Sequence, residues 1–265
     1  MLPLITSVHN PRIKAAVRLR DRKGREAQSR IIIDGLRELG HALQSDIEFL
    51  EVYIDEGVLQ QSPLPSMLDT FEDRDVPVFP VASHVYAKLR YGERDDGIVA
   101  VAKSPQRRLS DLRLAGVPFV AVLAGVQKPG NVGAILRSAD AAGVSAVIVA
   151  DGGTDLFNPN AIRASMGTIF RLPICAATGE STRRWLQEKG FQAYAARVGA
   201  SRWYCDVPWQ GPSALVLGSE AHGLSDGWSD ADFEAISLPM RGIADSLNVS
   251  ATAAVIFYEV WRQRR

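Results

Sequence analysis

The chain has 265 residues and a mass of 28.8 kDa, with 46% hydrophobic and 23% charged residues. That is the profile of a globular protein with one large or two modest domains, and it excludes a disordered chain or a disulfide scaffold. Cys175, Cys205 and four scattered histidines show no local metal-ligand spacing. No apolar run reaches the roughly 18 residues of a membrane span. Two lone thiols, and an N-terminus without a basic-then-apolar leader, lead us to expect a reducing cytoplasm.

The net charge of zero conceals an asymmetry. Residues 1–30 hold eight Lys/Arg against two Asp/Glu, residues 31–104 six against fourteen, and residues 105–265 sixteen against fourteen. Arg12, Lys14, Arg18, Arg22 and Lys23 are therefore candidates for contact with a phosphate backbone. The plainer alternative is a solvated helix face.

Asn10-Pro11 opens a helical pattern with Ile13, Ala16, Val17 and Leu19 as its apolar stripe. A short strand at Ile31–Ile33, a helix over Gly35–Leu43 and a strand over Phe49–Ile54 follow. Loop and helix occupy Pro63–Phe71, and Val76–Val81 and Gly97–Ala102 read as strands. Strands alternating with helices imply an α/β layer structure. The polar, proline-containing run Lys103–Arg108 marks a linker. We divide the chain into a domain at 1–104, a linker at 105–114 and a second domain at 115–265.

The second half begins with the apolar run Phe119–Ala124, the mark of a buried parallel strand. After the Gly/Pro loop Gly125–Gly130, Asn131 is expected to cap a helix running to Ala142. A strand at Val144–Ala150 precedes a helix opened by Asn158-Pro159. Later strands fall at Leu172–Ala176, Gln192–Ala196, Ala214–Leu217 and Ala235–Leu238, and a last helix spans Ser246–Arg262.

Three segments at strand ends could carry chemistry. Asn131-Val-Gly133-Ala-Ile-Leu-Arg137 follows a Gly-rich loop, where a helix start favours anions. Arg137 sits on an otherwise apolar helix, so a structural ion pair is its plain alternative. Gly218-Ser219-Glu220-Ala221-His222-Gly223 ends an apolar strand, and its glycines would let a ligand approach the backbone closely. His222 reads as a turn residue only. Leu238-Pro239-Met240-Arg241-Gly242 leads to Ser246-Leu247-Asn248-Val249-Ser250, where Ser246 and Asn248 could be no more than helix caps. Each segment alone is weak; together they point to one composite site.

As a set, these segments resemble the three motifs of the SpoU (TrmH) family of RNA ribose 2′-O-methyltransferases. Asn131, Gly133 and Arg137 are similar to the first motif, and Gly218, Glu220 and Gly223 to the second. Pro239 and Met240 with Ser246–Ser250 are similar to the third. Ala164–Gly167 is similar to a further family segment, and Asn10–Lys14 with Asp34-Gly35 to the family's substrate-binding domain. The likeness spans roughly residues 118–262. It departs from the pattern at Lys128, where an acid or amide is commoner, at Leu238, and at Ala251-Thr252.

The resemblance implies an α/β fold: a C-terminal trefoil-knotted, mostly parallel sheet with helices on both faces, plus a smaller N-terminal α/β substrate-binding domain. It implies S-adenosylmethionine as cofactor and a homodimer using the last helix; the lack of a ligand cluster leads us to expect no metal. In that helix the stripe Val255, Ile256, Phe257, Val260 and Trp261 would otherwise be read as core. The implied reaction is in-line attack of a ribose 2′-oxygen on the methyl group. Arg137 would orient the oxygen and stabilise its developing charge, since a guanidinium stays protonated at neutral pH and cannot readily accept a proton. Asn131, Glu220, Ser246 and Asn248 would hold Arg137 and the ribose, while Gly218, Gly223, Leu238, Met240 and Leu247 would hold the cofactor. A separate N-terminal domain favours ribosomal over transfer RNA by analogy. The alternatives are a transfer-RNA enzyme and a catalytically silent RNA-binding member. A Rossmann oxidoreductase is disfavoured because G-x-G-x-x-G is absent.

Overall fold

The computed structural model describes residues 2–265 except Gln60, Ser62, Glu93, Arg94, Gly153, Thr154, Asp230 and Ala231. Two compact units form: Met1–Gln106 with Phe157–Arg171, and Arg107–Leu156 with Leu172–Arg265.

The first unit opens with α1 (Pro11–Arg18), capped by the Asn10 side chain, which accepts from Arg12 N at 2.9 Å. The single helical pattern read from the sequence is in fact two helices, because α1 stops at Arg18 and α2 (Arg22–Gln28) begins anew. The break is held from inside. Arg25, 4% exposed, donates to the carbonyls of Leu19 at 2.5 Å and Arg20 at 2.7 Å, acceptors that a helix end leaves free. Gly24 permits the close turn, since a Cβ there would lie 1.9 Å from the Arg18 carbonyl oxygen.

The chain continues through β1 (Arg30–Asp34), α3 (Leu36–Leu43), β2 (Phe49–Asp55), α4 (Leu64–Glu72), β3 (Val78–Val81), α5 (Ser83–Leu89) and β4 (Ile98–Lys103). The strands order β1-β4-β2-β3, with β4 antiparallel to β1 and β2 and β3 parallel to β2. Ile13, Ala16 and Leu19 pack with Ile32, Tyr53, Val85 and Val101 beneath this sheet. The α1 stripe is therefore core.

In the second unit β5 (Phe119–Ala124), α6 (Pro129–Ala142) and β6 (Ala146–Ala150) come first. The chain then contributes Phe157–Arg171, including α7 (Pro159–Ala164), to the first unit, although the sequence reading kept this stretch within 115–265. There Arg163 donates to the Tyr91 carbonyl and lies over its ring at 5.9 Å. Gly167, at φ 83°, comes so close to α3 that a Cβ would lie 3.0 Å from Glu38 Cα. Asp34, 6% exposed, accepts from Tyr91 N. Burial pushes its carboxyl up to about 6, against the opposing pull of that hydrogen bond and of Arg163.

The second unit resumes with β7 (Ile174–Ala177), α8 (Gly179–Glu188), β8 (Gln192–Ala196), β9 (Arg202–Trp203), β10 (Ser213–Leu217), β11 (Phe233–Ser237) and α9 (Val249–Arg264). Its seven strands order β7-β6-β5-β10-β8-β11-β9, each neighbouring pair parallel. All residues of β5, β6 and β10 are buried, which explains their uninterrupted apolar runs. Helices α6 and α9 pack on one another. The end of α9 is tied down by Arg264, which donates to the carbonyls of Trp209 (2.6 Å), Val117 (2.7 Å) and Gly211 (2.7 Å). The apolar residues of α9 divide. Ile256, Phe257 and Val260 are buried, while Val255, Tyr258 and Trp261 are exposed. Among the described residues no helix is long and apolar enough to cross a membrane.

Two expected helix starts need correction. Proline fixes φ for a first helical turn, and α6 begins at Pro129 with Lys128 at its cap position. Asn131 therefore lies inside the first turn, and its side chain is free for other partners. Helix α9 begins at Val249 with Asn248 as cap, so Ser246 lies in the loop before it.

Candidate active site

In a parallel sheet, loops at the carboxyl ends of the strands form a crevice. After β10, Ser219 and Gly223 exchange both backbone hydrogen bonds at 3.0 Å, closing a tight loop. His222 N donates to Ser219 Oγ at 3.1 Å within it. Gly223 has φ 65°, and a Cβ on Gly218 would lie 2.3 Å from the Gly223 carbonyl carbon. The glycines thus let the loop close on itself.

Three loops meet through side chains. Asn248 Oδ1 caps α9 by accepting from Ser250 N at 2.9 Å and from Ser250 Oγ at 2.7 Å. Its amide donates to Asn131 Oδ1 at 3.4 Å, and the Asn131 amide in turn donates to the Glu220 carboxylate. Amide, amide and carboxylate form one directed chain. Each fixed side chain orients the next, and the carboxylate terminates the series. Asn248 is both a cap and a member of this chain.

A cavity of about 560 Å³ opens at the same strand ends. Its lining includes Gly218, Gly223, Leu238, Met240 and Leu247, the five residues the sequence assigned to the cofactor, together with Glu220, Ser246 and Asn248. Asn131 and Arg137 are not among the lining residues. Arg137 is exposed on α6 and, among the described residues, its side chain has no ion pair or hydrogen bond, so the structural ion pair considered above is not found among them. Ser246 likewise makes no side-chain hydrogen bond among the described residues. Among the described residues no hydrogen bond or ion pair joins the Arg137 side chain to Asn131, Glu220, Ser246 or Asn248.

Lining residues that sequence reasoning missed include Lys128, Ala196, Arg197, Val198 and Asp245. His222, read as a turn residue, also lines the cavity. Ala196–Val198 enter because β8 stands between β10 and β11. Arg197 holds the wall in place, donating to Ser229 Oγ at 2.6 Å and to the carbonyls of Leu224 and Ser225 at 3.5 and 3.4 Å.

In the first unit the candidate phosphate-binding cations differ in availability. Arg12 is bonded to Glu51 at 3.0 Å and lies over Phe79 at 4.9 Å. Arg22 is paired with Glu26 at 2.6 Å. Lys14, Arg18 and Lys23 are exposed and, among the described residues, carry no ion pair. No group of three or more metal-ligating side chains occurs among the described residues.

A cavity at the ends of parallel strands, rimmed by a directed Asn-Asn-Glu chain, defines a ligand-binding α/β domain. Comparison with known proteins identifies its kind. The family model described as SpoU rRNA Methylase family matches residues 118–258, and one described as MRM3-like substrate binding domain matches residues 10–100. The chain belongs to the SpoU rRNA methylase family. It is 27% identical to the 23S rRNA (guanosine(2553)-2′-O)-methyltransferase RlmP of Bacillus subtilis, over 97% of this chain and 98% of that protein. Among solved structures, an RNA 2′-O ribose methyltransferase is 39% identical, with a TM-score of 0.83 over 98% of this chain and 99% of that one. An AdoMet-bound rRNA methyltransferase from Sinorhizobium meliloti is 26% identical, with a TM-score of 0.88 over 98% and 97%.

Proposed function

We infer that this protein transfers a methyl group from S-adenosylmethionine to a ribose 2′-oxygen of ribosomal RNA. The observation that carries the reading is the Asn248–Asn131–Glu220 chain at the rim of the strand-end cavity, within a SpoU methylase domain. The cavity volume lies in the range of roughly 300–1,000 Å³ usual for cofactor sites. Leu217, Ile236, Leu238 and Val249 offer apolar surface for a purine, and Glu220 and Asp245 suit a ligand bearing a sulfonium and an ammonium. The donor set therefore fits the cofactor, which when bound supplies an electrophilic methyl group.

The chain's own residues then have to align the 2′-oxygen and stabilise it as it loses its proton. Alignment is entropic work and needs rigid groups. The Asn-Asn-Glu chain supplies them. Arg137, whose side chain has no ion pair among the described residues, orients the oxygen and stabilises its developing negative charge. A 2′-hydroxyl target makes the substrate RNA, because DNA lacks that group. Ribosomal RNA is favoured by the relatives' own activities and by the match of the first unit to a substrate-binding domain.

The remaining assignments belong to the same reading. Residues 1–104 act as the RNA substrate-binding domain, with Lys14, Arg18 and Lys23 as its principal phosphate contacts, and residues 115–265, apart from the Phe157–Arg171 stretch that joins the first unit, as the trefoil-knotted catalytic domain. The protein works in the cytoplasm as a homodimer through α9, which leaves Val255, Tyr258 and Trp261 exposed. A second copy is then the source of the missing partners of Arg137. The test is to map ribose methylation in RNA from cells with and without the protein, alongside methyl transfer by the purified protein. Loss of one ribosomal 2′-O-methyl mark is expected. A mark lost from transfer RNA alone, or no transfer to any RNA, overturns the reading.

A further inference from the structure

Of the four Lys, Arg, Asp and Glu side chains that line the cavity, two have partners within the chain, and Asp245 and Lys128 have none among the described residues. Glu220 is bonded to Asn131, and Arg197 is engaged by Leu224, Ser225 and Ser229. Lys128 is exposed and, among the described residues, has no ion pair or side-chain hydrogen bond, although two acids line the same cavity. Its backbone is fixed. The Lys128 carbonyl accepts from Asn131 N at 3.0 Å and Val132 N at 3.1 Å, so its side chain leaves from a set point in the turn that carries Asn131. A cation anchored at a rim and left unneutralised by the protein suits an external anion.

The reactants bring two kinds of anion, the carboxylate of the cofactor and the phosphates of RNA. The cofactor is a net cation, and the acids of the cavity match that charge. RNA carries a phosphate on each side of every ribose, so placing a 2′-oxygen beside Asn131 and Glu220 brings the 3′-phosphate of the same nucleotide to this rim. We propose that Lys128 binds the phosphate flanking the methylated ribose and so sets the register of the RNA strand. The proposal rests on the methyltransferase reading above.

The experiment uses the full-length protein with Lys128→Ala, Lys128→Arg and Lys128→Asp. RNA binding is measured across a salt series, methyl transfer gives the RNA KM, and calorimetry with S-adenosylhomocysteine reports the cofactor site. Lys128→Ala is expected to weaken RNA binding and raise the RNA KM about tenfold, the loss of one charge-assisted hydrogen bond. The slope of log affinity against log salt falls by about one unit. Lys128→Arg restores both, Lys128→Asp weakens binding further, and S-adenosylhomocysteine affinity falls by less than RNA affinity in Lys128→Ala and Lys128→Asp. Unchanged RNA slope and KM overturn the proposal. So does weakened S-adenosylhomocysteine binding with intact RNA binding, which would assign the lysine to the cofactor carboxylate. Failure of the wild-type protein to methylate RNA would sink the methyltransferase reading instead; the salt series reads the lysine without turnover.

Discussion

Asn131 and Glu220 stand 89 residues apart in the chain, yet the Asn131 amide donates directly to the Glu220 carboxylate. Asn248 joins them from a third loop, 117 residues beyond Asn131. The bond locks the first turn of α6 to the loop after β10, which the parallel sheet only brings near each other. It also explains why three separately weak motifs belong to one site.

Breaking that bond from either side should cost the same thing. Asn131→Ala and Glu220→Ala are each expected to lower kcat by roughly a hundredfold, within the range for positioned polar groups. The double variant should be scarcely worse than either single one, because both remove one unit. Asn131→Asp should be no milder than Asn131→Ala, since it sets a carboxylate against a carboxylate. Single-turnover methyl transfer checks this, and fully additive losses would show that the two residues act separately.

Arg137→Ala should lower methyl transfer by about 10²–10³-fold, as expected when a group facing developing charge is removed. Cofactor affinity should hold, because Arg137 is not among the residues lining the cavity. Calorimetry and activity are read on the same preparation. Joint loss of cofactor binding and activity would refute the assignment.

How much of this was legible in the sequence follows from burial and spacing. The runs Phe119–Ala124 and Ala214–Leu217 announced strands because every residue of β5 and β10 is buried. The motif residues Asn131, Glu220 and Asn248 stood out at the ends of such runs. Strand order is not written locally. Nothing in Ala196–Arg197–Val198 shows that β8 lies between β10 and β11, so that wall of the cavity was invisible. Asn131 was mistaken for a cap because its residue type suits one, whereas Pro129 had already started the helix. The break between α1 and α2 depends on Arg25 reaching back to two carbonyls, an interaction that helical periodicity does not encode. The return of Phe157–Arg171 to the first unit is likewise a matter of tertiary packing.

Gly218→Ala should disturb the loop after β10. The added Cβ would sit 2.3 Å from the Gly223 carbonyl carbon, a backbone atom that cannot swing aside. A cost of about 1–3 kcal/mol is expected for such overpacking. Cofactor affinity should fall with it, since Gly218, Glu220 and Gly223 all line the cavity. Calorimetry and thermal unfolding test both effects; unchanged values in each would mean that the loop adapts freely.

Asp34 should make stability depend on acid pH. Its carboxyl titrates at 3.8 when unperturbed and at about 6 in the fold, raised chiefly by burial. Between those values the folded protein keeps a proton that the unfolded chain has released. The contribution is therefore full below about pH 3.8 and is lost as pH rises through about 6. The shift corresponds to about 3 kcal/mol. Asp34→Asn stays neutral throughout and should gain that amount relative to wild type between pH 4 and 7. Its altered hydrogen bonding adds an offset that does not vary with pH. Denaturant unfolding across this range tests it, and parallel pH profiles for the two proteins would refute the assignment.

The N-terminal cations should govern the salt dependence of RNA binding, but unequally. Each phosphate contact releases counterions and contributes roughly one unit to the slope of log affinity against log salt. Such contacts add affinity without reading bases. Arg12 and Arg22 already face Glu51 and Glu26 within hydrogen-bond distance, so a phosphate would have to displace a carboxylate to reach them. Arg20 and Arg25 serve the fold by donating to backbone carbonyls. Lys14, Arg18 and Lys23 remain exposed and without an ion pair among the described residues. Replacing these three by Ala should flatten the slope by about two to three units and raise the RNA KM. Arg12→Ala with Arg22→Ala should change the slope by less than one unit. Cofactor affinity should stay constant in both variants, because every residue lining the cavity belongs to the second unit. If the triple variant keeps the wild-type slope, α1 and α2 carry only solvated charge, and the RNA contact must be sought among cations of the second unit such as Lys128 and Arg137.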